Sequence, residues 1–155
     1  MESDEEVWRT ILDLTQEIGY KLKKNHLAAR GIQINVRDKN LFGCQYQMKL
    51  EYMTQSTLFL AQAAKLLFFK KHRFTTPLRS ITVRAIDLVP EDTPQQLNLF
   101  AGYDKQDDIV RLESAVDRLR ERFGNKIVVP ASLMEKSCRP TLSTDFPKMP
   151  APMYH

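Results

Sequence analysis

An alternation that recurs three times constrains this chain more than anything else in its sequence. Ile32, Ile34 and Val36 are interleaved with Gln33, Asn35 and Arg37. Tyr46, Met48 and Leu50 are interleaved with Gln45, Gln47 and Lys49, and Ile81, Val83 and Ala85 with Ser80, Thr82 and Arg84. A period of two puts alternate side chains on opposite faces of a strand, so each run predicts a strand with one apolar face. A sheet of such strands must bury that face under another layer. The opposite face, Gln33, Asn35, Arg37, Gln45, Gln47, Lys49, Ser80, Thr82 and Arg84, contains no acid and few apolar groups.

Two amphipathic segments supply the covering layer. Ser3 followed by Glu6 is a capping-box pattern, and Val7, Ile11, Leu14, Ile18 and Leu22 recur at helical spacing, predicting a helix over 4–24. Gly31 then opens the first strand, Lys39 to Gly43 forms a turn, and Cys44 to Met53 forms the second strand, an antiparallel hairpin. Thr54 or Ser56 caps a second helix through Leu60, Ala64, Leu67 and Phe68, closing in the basic run at Lys70. Pro77 separates that helix from the strand beginning at Leu78, which Pro90 and Pro94 end. The expected fold class is α+β: an antiparallel β-sheet with two helices packed on one face, plus a C-terminal helical extension. Residues 1–100 form the domain. Residues 101–135 form the extension, in which Ile109, Leu112, Val116 and Leu119 mark a third helix and Ile127 to Val129 a short strand. The proline-rich 136–155 reads as a disordered tail.

Charge is modest in sum, +4, but unevenly placed. The first twenty residues hold six acids against Arg9, whereas residues 21–89 hold thirteen Lys/Arg against Asp38, Glu51 and Asp87. That middle block is where a polyanion would bind, although a solvated face has the same composition. No run of apolar residues reaches membrane-spanning length, and the acidic N-terminus lacks the layout of a signal peptide. Two unrelated cysteines, Cys44 and Cys138, suit a reducing cytoplasmic setting.

Signatures of catalysis are missing. The chain has no P-loop, GxGxxG, HExxH or GxSxG, and its three histidines are scattered. Asp87, Glu91 and Asp92 crowd a strand end and turn, where acids are common, so neither catalytic nor metal-binding residues are assigned. The acid-free sheet face offers what phosphate contacts need, namely short polar side chains and a few cations. Lys39, in the turn, adds to it. Gln96-Leu97-Asn98-Leu99-Phe100 is an apolar peptide between a proline-bounded turn and a polar linker. Two leucines and an aromatic suit a pocket on a partner; burial as an edge segment under the third helix is the alternative.

Taken together, Arg30-Gly31-Ile32, Val36-Arg37-Asp38, Pro77 to Arg84, and Asp87-Leu88-Val89-Pro90 resemble the C-terminal little-finger domain of bacterial Y-family translesion DNA polymerases (the DNA polymerase IV and UmuC-like, or ImpB/MucB/SamB, family). Gln96 to Phe100 is similar to that family's peptide for the sliding clamp. The resemblance implies a sheet that grips the backbone of double-stranded primer–template DNA, including damaged DNA, and a clamp contact. It also implies that the catalytic carboxylates and magnesium belong to a palm domain, so this chain holds no cofactor and does not polymerise alone. Family alignment turns Tyr46 and Met48 outward, while the alternation turns Gln45, Gln47 and Lys49 outward; the alternation is followed here. Relatives have a strand before the first helix. Its place is left open, filled by Ile127 to Val129, or filled by a second copy as a dimer through the unpaired edge. A protein-interaction module that never meets DNA is the alternative function.

Overall fold

Helix α1 (Asp4–Lys24) begins where the sequence places a cap: the Ser3 hydroxyl accepts the Glu6 N–H at 3.2 Å. In the computed structural model, which describes residues 1, 3–72, 76–94, 104–124 and 127–134, α1 ends at Asn25. The Asn25 side chain folds back to donate to the Lys21 carbonyl at 2.7 Å. His26, at φ +54°, turns the chain into β1 (Leu27–Asp38). β1 therefore starts four residues before Gly31, because Leu27 to Ala29 already pair with Leu88 to Pro90. Gly31 lies inside the strand for a steric reason. A Cβ there would come within 2.8 Å of Ile86, whose side chain crosses the backbone at that point.

Strand β2 (Gly43–Thr54) returns antiparallel to β1 and leads into helix α2 (Thr57–Lys71). Ser56, rather than Thr54, is the N-cap, its hydroxyl accepting from Phe59 N–H, while the Thr54 hydroxyl accepts from Ser56 N–H at 3.0 Å. Strand β3 (Leu78–Pro90) pairs antiparallel with the other side of β1, giving the sheet order β2-β1-β3. Both helices lie on one face of this sheet, where Val7, Ile11, Ile32, Ile34, Leu60, Leu67 and Phe68 form the centre of the core. The architecture is α+β, as the alternation and helical spacing predict.

The helices approach closely at Gly19, where a Cβ would collide with the Thr57 hydroxyl. At the start of β3, Met1 exchanges two backbone hydrogen bonds with Leu78, its amino group donating at 2.7 Å and its carbonyl accepting at 2.9 Å.

The extension is packed, not appended. Helix α3 (Asp104–Phe123) and the short 3-10 turn Ala131–Leu133 lie against α1 and the start of α2, with Leu133 buried in the core. Here one expectation is corrected. Ile127 to Val129 form no strand, because the Val128 carbonyl is taken by Arg120 Nε and Nη2 at 3.1 and 2.8 Å. Helix α3 meets the body through half-buried Val116 and through a charged stripe. Leu112 and Leu119 are 65% and 43% exposed, while the charged stripe Glu113, Asp117 and Arg120 faces α1 and α2. Among the described residues, no helix is long and apolar enough to cross a membrane.

Candidate nucleic-acid interface

The register of the sheet assembles its outward face row by row. Gln47, Gln33 and Arg84 lie abreast, then Gln45, Asn35 and Thr82, then Gly43, Arg37 and Ser80. Lys49 stands beside Gly31 in the row before. The structure thus brings nine of the ten predicted residues onto one face and puts Lys39 in the β1–β2 turn. Gln45, Gln47, Lys49, Ser80, Thr82 and Arg84 are exposed, as is Arg37; Gln33 is buried between its neighbours. None of Arg37, Lys39, Lys49 and Arg84 has an ion-pair partner among the described residues. Their charge is uncompensated, which is what a surface needs if it is to exchange condensed counterions of a polyanion for its own cations.

A shallow cleft of about 440 Å³ runs along the last two rows, lined by Asn35, Arg37, Gly43, Gln45, Ser80 and Thr82. The Asn35 side-chain oxygen is buried there with no hydrogen-bond partner among the described residues. Since amide oxygen and nitrogen are interchangeable without an observed network, this position offers one unsatisfied polar atom to a ligand.

The second strand faces the way alternation dictates. Tyr46, Met48 and Leu50 pack against the core, and Tyr46 meets His72 edge-on at 6.3 Å between ring centroids. The outward orientation implied by family alignment for Tyr46 and Met48 is therefore overturned: a one-residue slip would expose this apolar set. Burial, and next the hydrogen bond with Cys44, push the Tyr46 hydroxyl above its ordinary pKa. The outer face accordingly carries no aromatic ring for base stacking, and its contacts with a nucleic acid would be to the backbone.

Of the acids set aside at the end of β3, Glu91 has structural work. Glu91 accepts from Gln55 Nε2 at 2.7 Å and pairs with His26 Nδ1 at 2.8 Å, tying three connections together. Those two hydrogen bonds, Gln55's first, hold its carboxyl below the usual carboxylate range. Asp87 is at φ +52°. No group of three metal-ligating side chains exists among the described residues. Gln96 to Phe100 lies outside the described residues, as does the tail from 135 onward.

Sequence reasoning missed two features. One is the apolar tip of the predicted turn from Lys39 to Gly43, where Leu41 and Phe42 are 57% and 75% exposed; two large apolar residues inside a polar turn were the available signal. The other is Glu113, whose carboxylate accepts from the Ser56 hydroxyl, Thr57 N–H and Leu58 N–H at 2.8, 3.2 and 3.0 Å. Lys23 Nζ lies 3.2 Å from Glu113 and 2.7 Å from Asp117. Nothing in local sequence joins positions 56 and 113.

The fold and face define a small α+β module with an open, cationic antiparallel sheet. The impB/mucB/samB family C-terminal domain matches residues 1–99. The chain belongs to that family. It is 34% identical over 122 residues to a protein named DNA polymerase IV from Acetivibrio thermocellus, covering 79% of this chain and 31% of that protein. It is 28% identical over 129 residues to DNA polymerase IV 2 of Halalkalibacterium halodurans, covering 80% of this chain and 30% of the relative. The chain thus spans about a third of the length of the curated relatives it matches.

Proposed function

We propose that this chain is the DNA-gripping domain of a translesion DNA polymerase, holding primer–template duplex, damaged or intact, through its phosphates. The observation that carries the reading is the outward patch of nine residues with no acid among them, on which Arg37, Lys49 and Arg84 have no ion-pair partner among the described residues. Family membership supports it, and so do relatives named as DNA polymerases. Catalysis, with its carboxylates and magnesium, would belong to another part of such a polymerase. Gln96 to Phe100 is proposed to dock on a bacterial sliding clamp, bringing the domain to its substrate.

Binding to a fluorescent primer–template at several salt concentrations tests the face. If three cations each neutralise one phosphate, log affinity against log salt falls with a slope of about −2.7. Arg37→Ala with Arg84→Ala should flatten that slope by roughly two-thirds and weaken binding without sequence preference. Affinity indifferent to salt, or unchanged in the double variant, refutes the reading. Leu99→Ala with Phe100→Ala should abolish clamp binding; no DNA binding by the wild-type chain together with retained clamp binding would instead favour a protein-interaction module.

A further inference from the structure

The turn between β1 and β2 is held more firmly than a surface connection requires. Asp38 donates its N–H to the Phe42 carbonyl at 3.0 Å, and its carboxylate accepts the Phe42 N–H at 2.9 Å. Its other carboxylate oxygen accepts from the Thr76 hydroxyl at 3.2 Å, and Lys39 N–H donates to the Pro77 carbonyl at 3.1 Å. The turn is thereby pinned both to itself and to the segment entering β3. Leu41 sits at φ +70°, a conformation that a side chain with a branched body adopts only when its surroundings impose it. The fold gains no core contact in return. Leu41 and Phe42 point two large apolar side chains into solvent, where asparagine or glycine would satisfy the turn without strain.

What surrounds this tip states the chemistry of its partner. Phe42 immediately precedes Gly43, which stands in the outward row with Arg37 and Ser80 at the end of the cleft. Arg37 and Lys39 flank it, and the nearby acid, Asp38, spends both carboxylate oxygens on hydrogen bonds. A partner that is anionic overall yet has flat apolar surfaces fits such a tip. A nucleobase attached to its phosphate has both properties.

We propose that Leu41 and Phe42 form a stacking tip that takes an unpaired or terminal base of the nucleic acid held by the sheet. This rests on the DNA-binding reading and adds a contact that is not electrostatic. Bases inside continuous duplex are already stacked, so the tip favours a junction or an overhang over uninterrupted duplex.

The full chain is titrated with a labelled primer–template bearing a single-stranded overhang, and with a covalently closed circular duplex that has neither ends nor unpaired bases, at several salt concentrations. Phe42→Ala should weaken overhang binding by roughly 5- to 150-fold at every salt concentration, the span of one lost base–aromatic stack. The salt slope should stay as in wild type, since no phosphate contact is removed. The closed circular duplex should lose much less, and Phe42→Trp should retain affinity. Phe42 is exposed and its loss leaves the fold intact, which an unchanged melting temperature checks. Equal binding by Phe42→Ala and wild type overturns the tip, as does an equal loss on both DNAs or a loss that vanishes at high salt. Wild type that binds neither DNA overturns the parent reading instead.

Discussion

Replacing Glu113 should loosen the first turn of a helix more than fifty residues away in sequence. The opening N–H groups of α2 have no acceptor within the helix, and the Glu113 carboxylate takes those of Thr57 and Leu58 along with the Ser56 hydroxyl. It also sits against the positive end of the helix dipole and beside Lys23, with both side chains less than a fifth exposed. Loss of a helix cap costs about 1 kcal/mol, and a charge-assisted hydrogen bond contributes about 1.5–3 kcal/mol, part of which water recovers at a half-buried site. Glu113→Ala should therefore cost about 2–3 kcal/mol, and Glu113→Gln about 1 kcal/mol because an acceptor oxygen remains. For a chain of this size that is a fall in Tm of about 6–9 °C for the alanine variant. Thermal unfolding followed by circular dichroism measures it, and hydrogen exchange at Thr57 and Leu58 reports the site. An alanine variant melting within about 1 °C of wild type, with those amides equally protected, would refute the reasoning.

Two further outcomes follow from the helical layer. Gly19→Ala drives a methyl group into the Thr57 hydroxyl at the closest approach of α1 and α2, and should cost about 1–3 kcal/mol in chemical denaturation. Combining it with Thr57→Ala should recover much of the loss, whereas strict additivity would argue against the contact. His72, stacked on Phe68, has its pKa lowered from 6.5 by burial, so the unfolded chain binds the extra proton more readily than the folded one. Its contribution is intact above that value and is lost as pH falls through it. The fall in Tm between about pH 7.5 and about pH 5.5 should be smaller in His72→Phe than in wild type, and equal falls would refute it.

How much of this was legible in the sequence depends on the range of the interaction. The three strands, the facing of each and both long helices follow from period-two and period-3.6 patterns, which need only neighbouring residues. Even the facing of Tyr46 was decided by alternation, since a slip would have exposed Met48 and Leu50 with it. The start of β1 was not readable, because Leu27 to Ala29 are held in place by Leu88 to Pro90. The dock of α3 was not readable for a related reason. Its apolar spacing marked a helix but not the partners of its charged stripe, which supplies acceptors for the α2 N-terminus and for Lys23. Only spatial neighbours reveal such a demand.

The arrangement of layers also makes the two halves of the functional argument separable. Both long helices, and α3 over them, lie on the side of the sheet opposite Arg37, Lys49 and Arg84. The described part of the extension therefore covers the helical layer without shading the cationic face, and although the family model's match ends at 99, both the packing and the resemblance to a relative aligned over 122 residues continue beyond it. Perturbations on the two sides share no hydrogen-bond partner and should add independently. Arg37→Ala with Arg84→Ala removes uncompensated charges from an exposed surface, so Tm should hold or rise slightly while the salt slope of DNA binding flattens. Glu113→Ala should lower Tm yet leave that slope unchanged at temperatures where the variant is folded. A slope that changed in the Glu113 variant would mean that α3 communicates with the sheet face through the core, and the separation argued from the layers would fail.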